Sequence, residues 1–241
     1  MSGWIDEHRA VWARKPALRA IYRHWIEALR RESVPGGPLI EVGCGPGFMK
    51  ELWPEVLATD VVASPYAERV VDAAALPFAD GEVATIVLLD VFHHLPAPHR
   101  FLREVARTLR GGGRLLLVEP WLGLAGRVFY RWIHHEGCDP RVDPEAPWTA
   151  AGKDPMDGNA ALPWLYFRPG GWLERSGLPL RILRRERIAA LPWLLTGGFQ
   201  PVSLLPAALV PAALRVDRAL SLVPALTATR CFLVVERMPP V

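Results

Sequence analysis

Disulfide chemistry has little to work with in this chain. Its 241 residues include three cysteines, Cys44, Cys138 and Cys231, an odd number without metal-type spacing. That count excludes a disulfide scaffold and fits a reducing compartment, so a cytoplasmic protein is expected. No uninterrupted apolar stretch occupies the start, where Asp6, Glu7, His8 and Arg9 stand in place of a secretory signal. Internal repeats and low-complexity segments are absent. The net charge is only +3, and the densest basic cluster, Arg184, Arg185 and Arg187, falls in a strand-like run. Nucleic-acid binding needs a broader basic face, so no nucleic-acid partner is expected. Charge is missing altogether from Ile188 to Leu214. That stretch is long enough to cross a bilayer, but Pro192, Pro201, Pro206, Pro211 and the Gly197-Gly198 pair would break a spanning helix repeatedly. No transmembrane segment is expected. Three roles stay open for it: an apolar cap over a substrate pocket, a homodimer surface, or a monotopic patch in peripheral membrane contact.

What is present is an alternation of short apolar runs with helical patterns. Leu39-Ile40-Glu41-Val42 runs into Gly43-Cys44-Gly45-Pro46-Gly47 and then a helix-compatible segment. A strand ending at Gly43 must turn sharply, and Gly45 and Gly47 would let backbone amides approach a ligand that any Cβ would push away. A second run, Val56 to Thr59, closes on Asp60, where a doubly wound fold places the acceptor for a ribose diol. A third acidic residue, Asp72, follows Val70-Val71 and is placed to read an exocyclic adenine amine. The run Val83 to Leu89 ends in Asp90 with His93-His94 behind it. A helical pattern from Ala97 to Leu109, a break at Gly111 to Gly113 and a strand from Arg114 to Glu119 come next. This order predicts an α/β, doubly wound, mostly parallel sheet. A nicotinamide dehydrogenase shares the strand, glycines and acidic residue. Here, however, the third glycine follows the second by two residues instead of three, and Glu41 precedes the turn.

These residues resemble the class I S-adenosylmethionine-dependent methyltransferases, in the branch that includes quinone-biosynthesis enzymes. The likeness is carried by the glycine loop, the Asp72-Ala-Ala-Ala-Leu-Pro-Phe78 segment, the His93-His94 pair and the Leu109-Arg110-Gly-Gly-Gly turn, and it covers Leu39 to Pro120. It implies a seven-stranded sheet whose last strand runs antiparallel to its neighbours, and S-adenosyl-L-methionine as cofactor. It places Glu41 near the methionine amino group, Gly43, Gly45 and Gly47 along methionine and ribose, Asp60 on the ribose hydroxyls and Asp72 at the adenine. Cys44, Ala73 and Asp90 complete that expected set. Two departures stand out: Ala84 replaces a common Asp, and the span from Asp60 to Asp72 is too short for a full helix, so an abbreviated adenine-side wall is expected.

One domain is expected over 1–241: N-terminal amphipathic helices in 1–37, a cofactor core in 38–119, a substrate lid in 120–168, and the remaining sheet in 169–241 with an apolar insertion at 188–226. The N-terminal helices either fold over the cofactor mouth or pack on the sheet. Within the lid, His134, His135 and Glu136 are the candidate general base or acceptor-orienting groups, because imidazole titrates near working pH. His93, His94, Asp157 and Asn159 are further polar candidates. No metal is expected, since neighbouring residues of the 134–139 cluster point apart and no second ligand group stands at a matching distance. Thr229 to Arg237 reads as an edge strand. The expected activity is methyl transfer to a small, apolar or aromatic acceptor, lipid-like included, at oxygen before carbon. The alternative is a cofactor-binding but catalytically silent partner subunit.

Overall fold

Backbone pairing begins where four apolar-rich residues can be buried on both sides: β1 (Leu39–Val42) is flanked by β2 (Leu57–Asp60) and β4 (Val83–Leu89). The computed structural model describes residues 3–134, 136–146 and 157–239. Before β1 come α1 (Gly3–Arg14) and α2 (Pro16–Glu32); between β1 and β2 lies the single turn and a half of α3 (Phe48–Leu52). Only β3 (Arg69–Val70) separates β2 from β4, with no helix between them, as the short span from Asp60 to Asp72 requires. Then follow α4 (Pro98–Thr108), β5 (Leu109–Pro120), α5 (Leu124–Trp132), α6 (Leu162–Phe167), α7 (Trp172–Arg175), β6 (Leu180–Ile188), α8 (Leu191–Thr196), α9 (Val210–Leu220), α10 (Pro224–Thr227) and β7 (Arg230–Arg237).

The seven strands form one sheet in the order β3-β2-β1-β4-β5-β7-β6. Pairings are parallel from β3 through β5, and β7 is antiparallel to both β5 and β6. The antiparallel last strand matches expectation, but its position does not: β7 is interior, and β6 forms the edge. Arg230 to Val235 are all buried, as a strand covered on both faces must be. The glycines Gly111 to Gly113 also lie within β5 instead of breaking it; they take up the register shift opposite Val83 and Thr85.

Side chains alternate between two apolar layers. From β4, Ile86 and Leu88 pack with Phe101, Leu102, Tyr166 and Phe167 on one face. Val87 points to the other, where α2 lays down Leu18, Ile21, Trp25, Ile26 and Leu29 at helical spacing. Thus α2 packs on the sheet, while α1 reaches the cavity described below. Ile188, Pro120 and Arg230 pair across β6, β5 and β7 at one rim. Every element inserted after β5 or after β6 therefore departs from the rim at which the parallel strands end.

Candidate active site

At that rim lies a cavity of about 1390 Å³. It is continuous from the β1 turn, through Asp60, Asp72, Ala73 and Asp90, to His93, His94, His134 and Glu136, and on to Trp193 and Gly197 to Pro201. Glu41, Gly43, Cys44 and Gly45 line it directly. The uncharged segment therefore contributes a wall of the cavity through α8 and the loop after it.

Gly43, Gly45 and Gly47 all have positive φ, as the turn requires. Their neighbours differ from expectation. A Cβ on Gly43 would meet Val91 Cγ1 at 2.5 Å, and one on Gly47 would meet Tyr66 Cβ at 3.0 Å. The close approach is to the protein's own side chains. The loop's amides are spent as well: Gly43 and Cys44 N–H donate to Thr59 O, Gly45 to Asp60 Oδ2, and Gly47 to Cys44 O. The turn supplies shape, and carboxylates stand around it.

Those carboxylates occupy three environments. Glu41 is buried, its Oε2 has no hydrogen-bond partner, and burial together with nearby Asp60 pushes its pKa up to about 8. An orphaned carboxyl oxygen on a cavity wall fits a cationic amino group, which would supply the missing donor and charge. Asp60 accepts Gly45 N–H at 2.8 Å and Val62 N–H at 2.9 Å, which fixes its orientation beside the turn. Asp72 is exposed and accepts from Ala74 N–H at 2.8 Å. Three carboxylates in three environments thus line this one cavity beside the turn. Asp90, by contrast, is committed to protein partners, Arg230 by ion pair and the Tyr22 hydroxyl at 3.3 Å, and it holds a left-handed φ of 59°.

The second half of the cavity is built around His93. Its Nδ1 lies 2.6 Å from Glu119 Oε2, and its Nε2 lies 3.1 Å from Glu136 Oε2. Glu119 Oε1 also accepts from the Val91 and Phe92 amides, so the turn after β4 hangs on this carboxylate. Burial alone would lower the His93 pKa; Glu136 and Glu119 outweigh it and raise the value to about 10. Burial would raise Glu136, but His93, His94 and His134 hold it well below the usual carboxylate range. Burial and the neighbouring His93 charge push His94 down to about 4. The fold thus sets an imidazolium between two carboxylates, with a neutral imidazole beside it, ring centroids 4.1 Å apart.

Of the three candidates in the lid, Glu136 is at the centre of this cluster. His134 Nδ1 lies 3.8 Å from Glu136 Oε2 and lines the cavity, and His135 lies outside the described residues. The reason for setting metal aside, the lack of neighbouring ligands, does not hold: ligand atoms of His93, His94 and Glu136 lie within 4.8 Å of one another. In this arrangement both ring nitrogens of His93 are engaged by carboxylates. Asp157 lines the cavity, while Asn159 is buried and braces the loop through Asp139 and Ala161.

Sequence reasoning missed Arg230 and Lys15. Buried Arg230 lies 4.1 Å from the Trp193 ring centroid and 5.2 Å from that of Trp25 while it pairs with Asp90. The one signal was an arginine placed directly before the apolar run Cys231 to Val235. Lys15 Nζ donates to the carbonyls of Thr196 at 2.6 Å, Gly198 at 2.9 Å and Val202 at 2.7 Å, and burial lowers its pKa. It ties the α1–α2 junction to the C-terminal end of α8, and no local pattern announces a contact 181 residues away.

Comparison with known proteins agrees with this geometry. Residues 40–117 match the methyltransferase domain family. An uncharacterized methyltransferase of Mycobacterium sp. strain JLS is 36% identical over 122 residues, 44% of this chain and 48% of that protein. A "probable S-adenosylmethionine-dependent methyltransferase" of Mycobacterium tuberculosis H37Rv is 35% identical over 132 residues, 48% of this chain and 42% of that protein. The chain thus spans less than half the length of these relatives. The geranyl diphosphate C-methyltransferase of Streptomyces coelicolor A3(2) superposes with a TM-score of 0.52 at 13% identity, over 88% of this chain and 76% of that one, a likeness of fold. Residues 40–117 thus resemble a methyltransferase domain, and the chain shares its fold with a solved methyltransferase.

Proposed function

We propose that the chain moves the methyl group of S-adenosylmethionine to a small apolar or aromatic acceptor held between the glycine turn and the His93–Glu136 cluster. The observation that carries this reading is the single continuous cavity, with an orphaned buried carboxyl at one end and a charged imidazole cluster at the other. Bound there, the cofactor supplies an activated methyl electrophile; Glu41, Asp60 and Asp72 would hold its amino, ribose and adenine groups. The protein contributes position and exclusion of water, and no covalent step.

The electrostatics narrow the acceptor. Glu136 is held ionised and His94 neutral with a low pKa, so neither withdraws a proton readily from an ordinary alcohol. This favours an acceptor oxygen that is already acidic, a phenol or enol, which needs no strong base from the cluster; a carbon nucleophile of the same enol is second. The likeness of residues 39–120 to quinone-biosynthesis enzymes, together with walls formed by Phe129, Trp193 and Leu194, supports a ring-bearing or lipid-like acceptor. The test is incubation of the protein with methyl-labelled S-adenosylmethionine and a panel of phenols, enols and aliphatic alcohols. Label transfer to phenols or enols is expected; cofactor binding with no demethylated product from any acceptor would favour the silent-subunit alternative.

A further inference from the structure

The outer surface of the same rim carries an unusual combination of residues. Gly123, just before α5, and Gly126 on it pack closely against neighbouring backbone: a Cβ at Gly123 would meet Ala228 O at 2.6 Å and Pro224 O at 2.8 Å, and one at Gly126 would meet Trp121 O and, at 2.8 Å, Ala228 O. The opposite face of α5 therefore points outward and presents Leu124, Val128 and Trp132, the last 77% exposed. Beside it the turn into α10 exposes Leu222, Val223 and Leu226, with Leu222 at 80%. Large apolar side chains gathered in this way on two touching elements mark a contact surface.

The charge around them identifies the partner. In the two rim insertions, 120–134 and 188–229, the charged residues are Arg127, Arg131, Arg215, Arg218 and Asp217. All four arginines are exposed, whereas partly buried Asp217 is occupied in capping α8 through the Leu191 amide at 2.7 Å. The outward charge on these segments is uniformly positive. Arg127 and Arg131 lie on α5 beside the stripe, with half-buried Asp139 in electrostatic reach of Arg131; a tryptophan-bearing apolar stripe edged by two arginines is complementary to an anionic lipid surface. None of the helices among the described residues is long and apolar enough to cross a membrane, so the contact lies in the interface plane.

We propose that the outward face of α5 and the 222–226 turn dock on an anionic phospholipid bilayer. The other side of α5 lines the cavity through Phe129, Tyr130 and Ile133, and exposed Ile133 belongs to both surfaces. Docking therefore brings the cavity rim to the lipid. The consequence for substrate, an amphiphile taken directly from the bilayer, rests on the proposed methyl transfer; the docking itself does not.

The test is sedimentation of the protein with vesicles of phosphatidylcholine alone and of phosphatidylcholine mixed with phosphatidylglycerol. Partition into the mixed vesicles only is expected. Arg127→Gln with Arg131→Gln should weaken it about thirtyfold, from about 1 kcal/mol per cation at such a surface. Val128→Ser with Trp132→Ser should weaken it at least about tenfold. Unchanged unfolding midpoints show that both variants fold. Failure of the wild type to sediment with anionic vesicles overturns the proposal, as does wild-type partition by both variants. So does a dimer that Val128→Ser with Trp132→Ser dissociates in the absence of vesicle binding. No methyl transfer is read, so these outcomes leave the proposed reaction untouched.

Discussion

At the scale of single residues, Glu41 is the informative case because it is held in an unfavourable state. Its pKa of about 8 is raised above the ordinary 4.5, so the proton it carries in the folded protein is lost as pH rises through about 8, and ionisation between these values works against folding. A cationic amino group beside Oε2 reverses that balance and expels the proton. Titration with S-adenosylhomocysteine in buffers of different ionisation enthalpy should show close to one proton released near pH 7, and Glu41→Gln should abolish the release. The His93 cluster has the opposite sign on each partner. Raised His93 stabilises fully below about 6.5 and ceases to as pH passes about 10; lowered Glu136 stabilises above about 4.5 and loses its contribution in acid. Imidazole NMR should find His93 protonated at pH 8, and Glu136→Gln should move its titration to lower pH. An unshifted His93 in that variant would contradict the assignment of the charge.

At the scale of elements, the turn after β1 and the cap on α8 are held by contacts of different range. The left-handed φ of 77° at Gly43 and the adjacent Val91 make Gly43→Ala doubly unfavourable, and calorimetry should register a loss of about 1–3 kcal/mol or a failure to fold. Lys15 satisfies three carbonyls beyond α8, so Lys15→Met leaves them unpaired. Faster amide exchange over 197–204, with exchange in β4 and β5 unchanged, is the expected result. Arg230→Met should cost about 3–5 kcal/mol in denaturant unfolding because Asp90 loses its buried partner. Local pattern made β1, β2 and β4 readable, since each is an apolar run bounded by breakers. The position of β7 was not readable in this way. Its alternation of apolar and polar residues suggested an edge strand, whereas the burial that makes it interior comes from β6 and the long-range pair with Asp90.

At the scale of the whole molecule, the glycine turn and the acids beside it were legible because glycines and acids at strand ends are constrained by backbone geometry over short distances. The acceptor half was only partly legible. Glu136 stood out with His134 and His135 as one of three polar candidates in 120–168, but its partner His93, and the Glu119 that holds His93 from the other side, come from two other elements. The uncharged segment 188–214 could be recognised as unusual from its composition, while its role as a cavity wall at 193–201 depends on how α8 and the loop after it fold back. The central claim is that one cavity at the rim of the sheet takes S-adenosylmethionine through its carboxylates. Calorimetric titration of S-adenosylhomocysteine into wild type and Asp60→Ala tests it most directly. One site per chain, weakened at least about tenfold by a substitution that removes a charged hydrogen-bond acceptor, is the predicted result. Equal affinity in the two proteins, or no binding to the wild type, would contradict it.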